Sequence, residues 1–167
     1  MISNPNRINS HIHGPKHWSR VERNGLYICQ LNDADEDVIR LFAIFHDSMR
    51  LNDGRDAEHG VRGAEYAKSL LNKEYELSEE KFELLYYACQ YHNKRVVETV
   101  KDKTIGTCWD ADRLDLRRVG IKPSEKMLYS REAKFIVREN KWGELTKFGN
   151  RIVNNESIME FWKKLIG

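Results

Sequence analysis

The chain has 167 residues, 40% of them hydrophobic, which is enough for one domain with its own core and short for two. Lysine and arginine total 28 against 26 acidic residues, a net charge of +2, and this excludes the dense basic face of a general nucleic-acid binder. A charged fraction of 32% exceeds the ~25% of average domains and suits helices with solvated outer faces.

A polar arm over residues 1–13 precedes a first helix from Gly14-Pro15 to about Leu31, with Trp18 and Val21 inward. Pro15 fits a first turn, where its missing N–H costs nothing. Gly25 within this stretch weakens it by about 1 kcal/mol on propensity. A second helix opens on Asp33, with Glu36 three residues later as a capping box. Its apolar face is Val38, Leu41, Phe42 and Phe45, and it ends near Arg50, before the turn signal Asn52-Asp53-Gly54. A third helix covers roughly 57–71. A fourth begins at Ser78, has Glu79 and Glu80 in its first turn, points Phe82, Leu85, Ala88 and Cys89 inward, and reaches His92. Val96 to Val100 is a short β-leaning run. A fifth helix is expected over about 107–119, stopped by Gly120 and Pro123, followed by 132–138 and a last amphipathic helix with Ile158, Phe161, Trp162 and Leu165 on one stripe. No pair of runs has hairpin chemistry. The expectation is an all-α single domain, with a helical core over 14–120 and a C-terminal helical extension over 121–167 packed upon it.

Cys29, Cys89 and Cys108 are odd in number and form no CxxC, so a reducing compartment is expected rather than a disulfide framework. There is no apolar stretch of signal-peptide type at the start and no run near the ~18 residues of a membrane span. A cytoplasmic protein away from membranes, a monomer or a homodimer, is the expectation.

Polar residues interrupt the apolar faces at three places. Phe42–Phe45 leads into His46-Asp47, Leu84–Cys89 leads through Gln90 and Tyr91 into His92, and Cys108-Trp109 leads into Asp110-Ala111-Asp112. A buried imidazole or carboxylate is costly unless paired or bound to metal. Each residue alone is commonly a core histidine or a helix cap. On inward stripes of different helices they share one interior, where one ion satisfies several.

The order of these residues resembles the HD-domain superfamily of metal-dependent phosphohydrolases. That family has a histidine on one helix, an adjacent His-Asp on the next, and a distal aspartate several helices later. By this resemblance the first histidine is His17, in Lys16-His17-Trp18-Ser19-Arg20-Val21. The pair is His46-Asp47, in Phe45-His46-Asp47-Ser48-Met49-Arg50. The distal aspartate is Asp112, which precedes Arg113-Leu114, in preference to Asp110. The likeness runs over about 13–120 and implies a compact helical bundle of HD type. It also implies hydrolysis of a phosphate ester or anhydride in a small phosphorylated compound, a nucleotide by preference, by a metal-activated water. His59, in Glu58-His59-Gly60-Val61-Arg62, and His92 resemble the two extra histidines with which some members, among them diadenosine-polyphosphate hydrolases, hold a second ion. The short gap from Asp47 to His59 departs from some branches. A nucleotide-sensing module without turnover and a di-iron oxygenase are the alternatives that the same superfamily offers.

Adjacent helical residues diverge by about 100°, so His46 and Asp47 cannot point at one spot along parallel vectors. The two oxygens of Asp47 can instead bridge two ions while His46 binds one. Imidazole with carboxylate suits Mn, Fe, Zn, Ni or Co better than a pure Mg site. Two such ions ~3.5–4 Å apart acidify a shared water. Lys16, Arg20, Arg50 and Arg62 are the expected phosphate contacts, Arg50 lying on the His46 face four residues on. Arg117 and Arg118 are expected to be solvated or paired locally. Asp53 is either an acid or base behind the ligands or a turn cap. His11 and His13 are expected on an arm near the pocket mouth, with a separate cluster around His17 as the alternative. Trp18, Trp109 and Cys89 are expected in the core.

Overall fold

The computed structural model describes residues 9–94 and 100–152, and within them the protein is all-helical. The helices are α1 Pro15–Asn32, α2 Glu36–Ser48, α3 His59–Leu70, α4 Glu79–Tyr91, α5 Lys103–Leu114, α6 Arg131–Arg138 and α7 Trp142–Ile152. Short 3₁₀ turns cover Asp115–Val119 and Glu125–Met127. Among the described residues the only β pairing is an isolated bridge between Leu71 and Tyr75.

Local chemistry explains most boundaries and corrects several. Pro15 starts α1 without a side-chain cap. Asp33 ends α1 rather than starting α2: it takes a left-handed conformation (φ 55°), and its N–H bonds the Cys29 carbonyl. The α2 cap is Asp35, whose carboxylate accepts from the Val38 N–H. Ser78 caps α4 as the sequence suggests. Helix α5 starts four residues early, because Asp102 accepts from the Thr104 and Ile105 N–H groups, and it tightens to 3₁₀ at Asp115. Helix α7 was not anticipated: two glycines dilute it, and only Leu145 and Phe148 of its face are buried. The Ile158–Leu165 stripe, and residues 96–99 of the β-leaning run, lie outside the described residues.

The core forms where α1, α2 and α5 meet and where α2 packs on α3 and α4. Trp18, Val21, Phe42, Phe45, Leu85, Ala88, Cys108 and Trp109 are buried there. Gly25 explains itself in this packing. A Cβ at that point would lie 2.5 Å from Ile39 Cγ2 and 3.3 Å from Ala111 Cβ, so its propensity cost allows three helices to close. The described part of the C-terminal segment forms a second, smaller core of Ile28, Leu114, Leu128, Ala133, Ile136 and Leu145. Asp110 pins it by accepting from the Tyr129 N–H (2.7 Å), the Ser130 N–H (2.7 Å) and the Ser130 hydroxyl (2.6 Å). Burial nevertheless raises the Asp110 carboxyl to about 6, against those bonds. No helix among the described residues is long and apolar enough to cross a membrane.

Candidate metal centre

Five helices deliver one side chain or two each to a single interior point. The first turn of α1 brings His17, the last turn of α2 brings His46 and Asp47, the start of α3 brings His59, the C-cap of α4 is His92, and the last turn of α5 brings Asp112. Gly60 makes the α3–α4 junction close enough, since a Cβ there would stand 2.6 Å from the Cys89 carbonyl and 3.2 Å from His92 Nδ1.

The donors form two clusters. In the first, His17 Nε2 is 3.1 Å from His46 Nε2 and 3.3 Å from Asp112 Oδ1, and His46 Nε2 is 3.8 Å from Asp112 Oδ1. In the second, His59 Nε2 is 2.9 Å from His92 Nε2 and 3.2 Å from Asp47 Oδ1, and His92 Nε2 is 3.6 Å from that oxygen. Asp47 joins them. Its other oxygen, Oδ2, faces the first cluster, 3.5 Å from His17 Nε2 and 3.7 Å from His46 Nε2. Ligands about 2.1 Å from one ion stand roughly 2.9–3.4 Å from each other in tetrahedral or octahedral array. Both clusters are close to that spacing, and each can hold a metal ion.

The hydrogen bonds behind the imidazoles decide what faces inward. His46 Nδ1 meets the Phe42 and Ala43 carbonyls at 3.0 and 3.1 Å, His92 Nδ1 meets the Cys89 carbonyl at 2.7 Å, and His59 Nδ1 meets the Asp56 carbonyl. A carbonyl only accepts, so each Nδ1 carries the proton and donates. His17 Nδ1 donates likewise to Asp115 Oδ2 at 2.7 Å. In the neutral rings all four Nε2 atoms therefore present lone pairs, to one another and to carboxylate oxygens. Lone pairs gathered in a buried space repel unless a cation sits among them.

The electrostatics agree. Burial pushes His46 down to about 3, so its ring is neutral and its Nε2 bare at ordinary pH. Burial would raise Asp47, but the surrounding imidazoles of His46, His13, His59 and His92 hold it well below the usual carboxylate range. Asp112 is held low in the same way, chiefly by its hydrogen bond with His17. His17 goes the other way: burial lowers it, but the bonds to Asp112 and Asp115 win and raise it. A proton on His17 Nε2 thus substitutes for part of the positive charge that the cluster demands.

Of the two candidate distal aspartates, Asp112 faces the cluster and Asp110 faces away, on the C-terminal layer. The basic residues have other partners. Arg50 donates from Nε to the Asn52 carbonyl (3.3 Å) and from one terminal nitrogen to the Gly54 carbonyl (2.6 Å), with its other terminal nitrogen 3.4 Å from Asp47 Oδ1 and 3.1 Å from His59 Nε2. It sits at the second cluster, neutralising Asp47 and bracing the loop. Arg62 pairs with Asp56 and the Met49 carbonyl. Arg20 donates to Asp115 Oδ1 at 2.7 Å, behind His17. Lys16 is exposed. Asp53 is exposed and accepts from the Ser10 hydroxyl at 2.7 Å. Arg117 lies over the Trp142 ring. Trp18, Trp109 and Cys89 are buried in the core.

Two residues at the site escaped sequence reasoning as partners of the ligands. Asp115 orients His17, and the signal was its position one helical turn after Asp112. His13, expected near the mouth, reaches the centre itself: its Nδ1 is 2.8 Å from Asp47 Oδ2. An open cleft of about 440 Å³ meets the second cluster, lined by Arg50, Arg55, His59, Asn93 and Lys94 among others.

No protein-family model, curated protein or solved structure matches the chain. The resemblance to HD-domain proteins therefore rests on the order of these residues in the sequence.

Proposed function

We propose that this protein is a metal-dependent phosphohydrolase of HD type, acting on a small phosphorylated compound, a nucleotide by preference. The observation that carries the reading is the division of Asp47: one oxygen faces His17, His46 and Asp112, and the other faces His59 and His92. His17, His46, Asp112 and Asp47 would hold one ion, and Asp47, His59 and His92 a second. Four imidazoles and two carboxylates suit Mn, Fe, Zn, Ni or Co. Bound there, the metal would supply Lewis acidity that activates water and neutralises phosphate charge.

The protein's own groups do the rest. Carbonyl and carboxylate partners fix all four rings in the tautomer that leaves Nε2 free. Arg50 places a guanidinium beside Asp47 and at the edge of the cleft, where a phosphate oxygen would be paired. A cleft of about 440 Å³ falls in the ~300–1,000 Å³ range of small-molecule sites, and His59 in its lining would give substrate a route to the second cluster.

The test is elemental analysis of purified protein, with a panel of nucleotides and generic phosphate esters assayed with added Mn. Wild type should carry metal and release phosphate, and His46→Ala and Asp47→Ala should lose both. Metal-free wild type whose behaviour these changes leave untouched would sink the reading. Bound nucleotide without phosphate release would favour a sensing module, and iron with a charge-transfer band and oxygen uptake would favour oxygen chemistry.

A further inference from the structure

The described end of the N-terminal arm, residues 9–13, is tied to the rest of the protein at two points. The Ser10 hydroxyl donates to Asp53 at 2.7 Å, on the loop after α2. Its oxygen in turn accepts from the His13 N–H at 2.9 Å and the Ile12 N–H at 3.2 Å, making a tight turn before the buried Gly14. Arg118 donates from Nε to the Ile12 carbonyl at 2.8 Å and from a terminal nitrogen to the Asp115 carbonyl at 3.2 Å. The arm is thus bridged from the α2–α3 loop on one side to the 3₁₀ turn behind His17 on the other.

These ties aim one side chain inward. His13 is half-buried, its side chain 13% exposed, and its Nδ1 lies 2.8 Å from Asp47 Oδ2. That oxygen is the one turned toward His17 and His46. The His13 ring stands edge-on to His17, with centroids 6.2 Å apart. A spacing of 2.8 Å between nitrogen and oxygen is a hydrogen bond, and it is also close to the roughly 2.9 Å that separates neighbouring ligands around one octahedral ion. The first cluster otherwise draws on α1, α2 and α5. The other terminal nitrogen of Arg118 lies 3.4 Å from His13 Nδ1, a weaker approach than the Asp47 contact.

We infer that His13 is a ligand of the ion in the first cluster, so that the described end of the arm, residues 9–13, is part of the metal centre. This rests on the reading that the clusters hold metal. His13 Nδ1 joins His17 Nε2, His46 Nε2, Asp112 Oδ1 and Asp47 Oδ2, and loading the metal fixes the arm across the centre. The second cluster, which opens on the cleft, is left as the side from which substrate enters.

Two variants separate ligation from simple hydrogen bonding. His13→Ala removes both. His13→Asn keeps an N–H donor near the Nδ1 position for Asp47 but is a poor ligand for cobalt or zinc. Full-length wild type and variants are stripped with chelator, checked for unchanged metal-free melting, and titrated with Co(II) and then Zn(II). The expected result is a loss of roughly 10-fold or more in affinity for one of two ions in both variants. The visible Co(II) spectrum of that ion should change as well, while the other ion binds as in wild type. A His13→Asn protein with wild-type affinity and spectrum would overturn the inference and leave His13 a hydrogen-bond partner of Asp47. Wild type that binds no cobalt or zinc would overturn the metal reading itself, a different outcome from wild type that binds two ions with His13 irrelevant.

Discussion

The two halves of the centre are built differently. The first cluster is braced by whole helices: His17 and His46 are fully buried on α1 and α2, and each Nδ1 is held by a carboxylate or by carbonyls of its own helix. A further layer backs it, since Arg20 and Arg118 both approach Asp115. The second cluster hangs on helix ends. His59 is the first residue of α3 and is held by a loop carbonyl, and His92 is the cap of α4, beside the open cleft. Rigid interior positions hold an ion tightly, while positions on helix ends hold it with more freedom to open for substrate. The first cluster should therefore be the tighter site and the second the more exchangeable and substrate-facing one.

Asp47 is the strongest way to break this comparison, because both halves use it. Asp47→Ala should empty both clusters and lower phosphate release by roughly 10³-fold, the upper range for removing one key electrostatic group. His92→Ala should remove only the second ion. Metal stoichiometry by mass spectrometry checks this: no ions in the first variant, one in the second. An Asp47→Ala protein that keeps one tightly held ion would show that the halves do not share it.

Asp115 tests the first half alone. Replacing it with asparagine leaves one oxygen for His17 or Arg20 and removes one of the two carboxylate hydrogen bonds, those of Asp112 and Asp115, that raise His17. Loss of such an outer partner costs roughly 10–100-fold in metal affinity. That loss should fall on the tighter ion only, read by chelator competition. Equal weakening of both ions would mean that the halves are one coupled unit.

The residue order His17, His46-Asp47, Asp112 was legible because it breaks apolar helical faces, and those faces fix which side chains go inward. His92 was legible for the same reason, at the end of the Leu85, Ala88, Cys89 stripe. Asp115 and His13 were not. Asp115 had only its place one turn after Asp112 as a signal and His13 only its nearness to His17, because their roles depend on how a 3₁₀ turn and an irregular arm fold back on α1. The roles expected of Arg20 and Arg62 were hidden differently: sequence shows a cation near a site, but only packing shows that Asp115 and Asp56 have already claimed it. Asp33 and Asp35 illustrate the smallest scale, where two adjacent candidate caps divide the end of one helix and the start of the next.

Metal removal should lower Tm. An ion at 100 times its Kd stabilises the native state by about 2.7 kcal/mol, or roughly 5–10 °C for a chain of this length. The effect should depend on pH, with a sign set by His17. Its folded pKa is raised above 6.5, so the stability from its proton is complete below 6.5 and is lost as pH rises through the higher folded value. Metal replaces that proton. The drop in Tm on adding chelator should therefore be small near about pH 6 and larger near about pH 8. Asp47, Asp112 and Asp115 act in the opposite sense, since their pKa values are depressed: their contribution is present above the ordinary 3.8 and is lost as pH falls below it. A chelator effect that shrinks between those two pH values would place the titrating proton elsewhere.

Arg20 gives the smallest effect and the finest distinction. Its side chain is 33% exposed and its Nε holds Asp115 Oδ1, so it acts on the first ion through two intermediaries, Asp115 and His17. An ion pair this exposed is worth about 0–1 kcal/mol. Arg20→Ala should therefore weaken the tighter ion by no more than about 5-fold, since 1.4 kcal/mol is needed for 10-fold, and it should leave the KM of the metal-saturated protein unchanged. A raised KM with full metal occupancy would instead put Arg20 on the substrate phosphate. The first half of the centre would then be a substrate-facing surface like the second, and the division between a braced interior and an open mouth would fail at that residue.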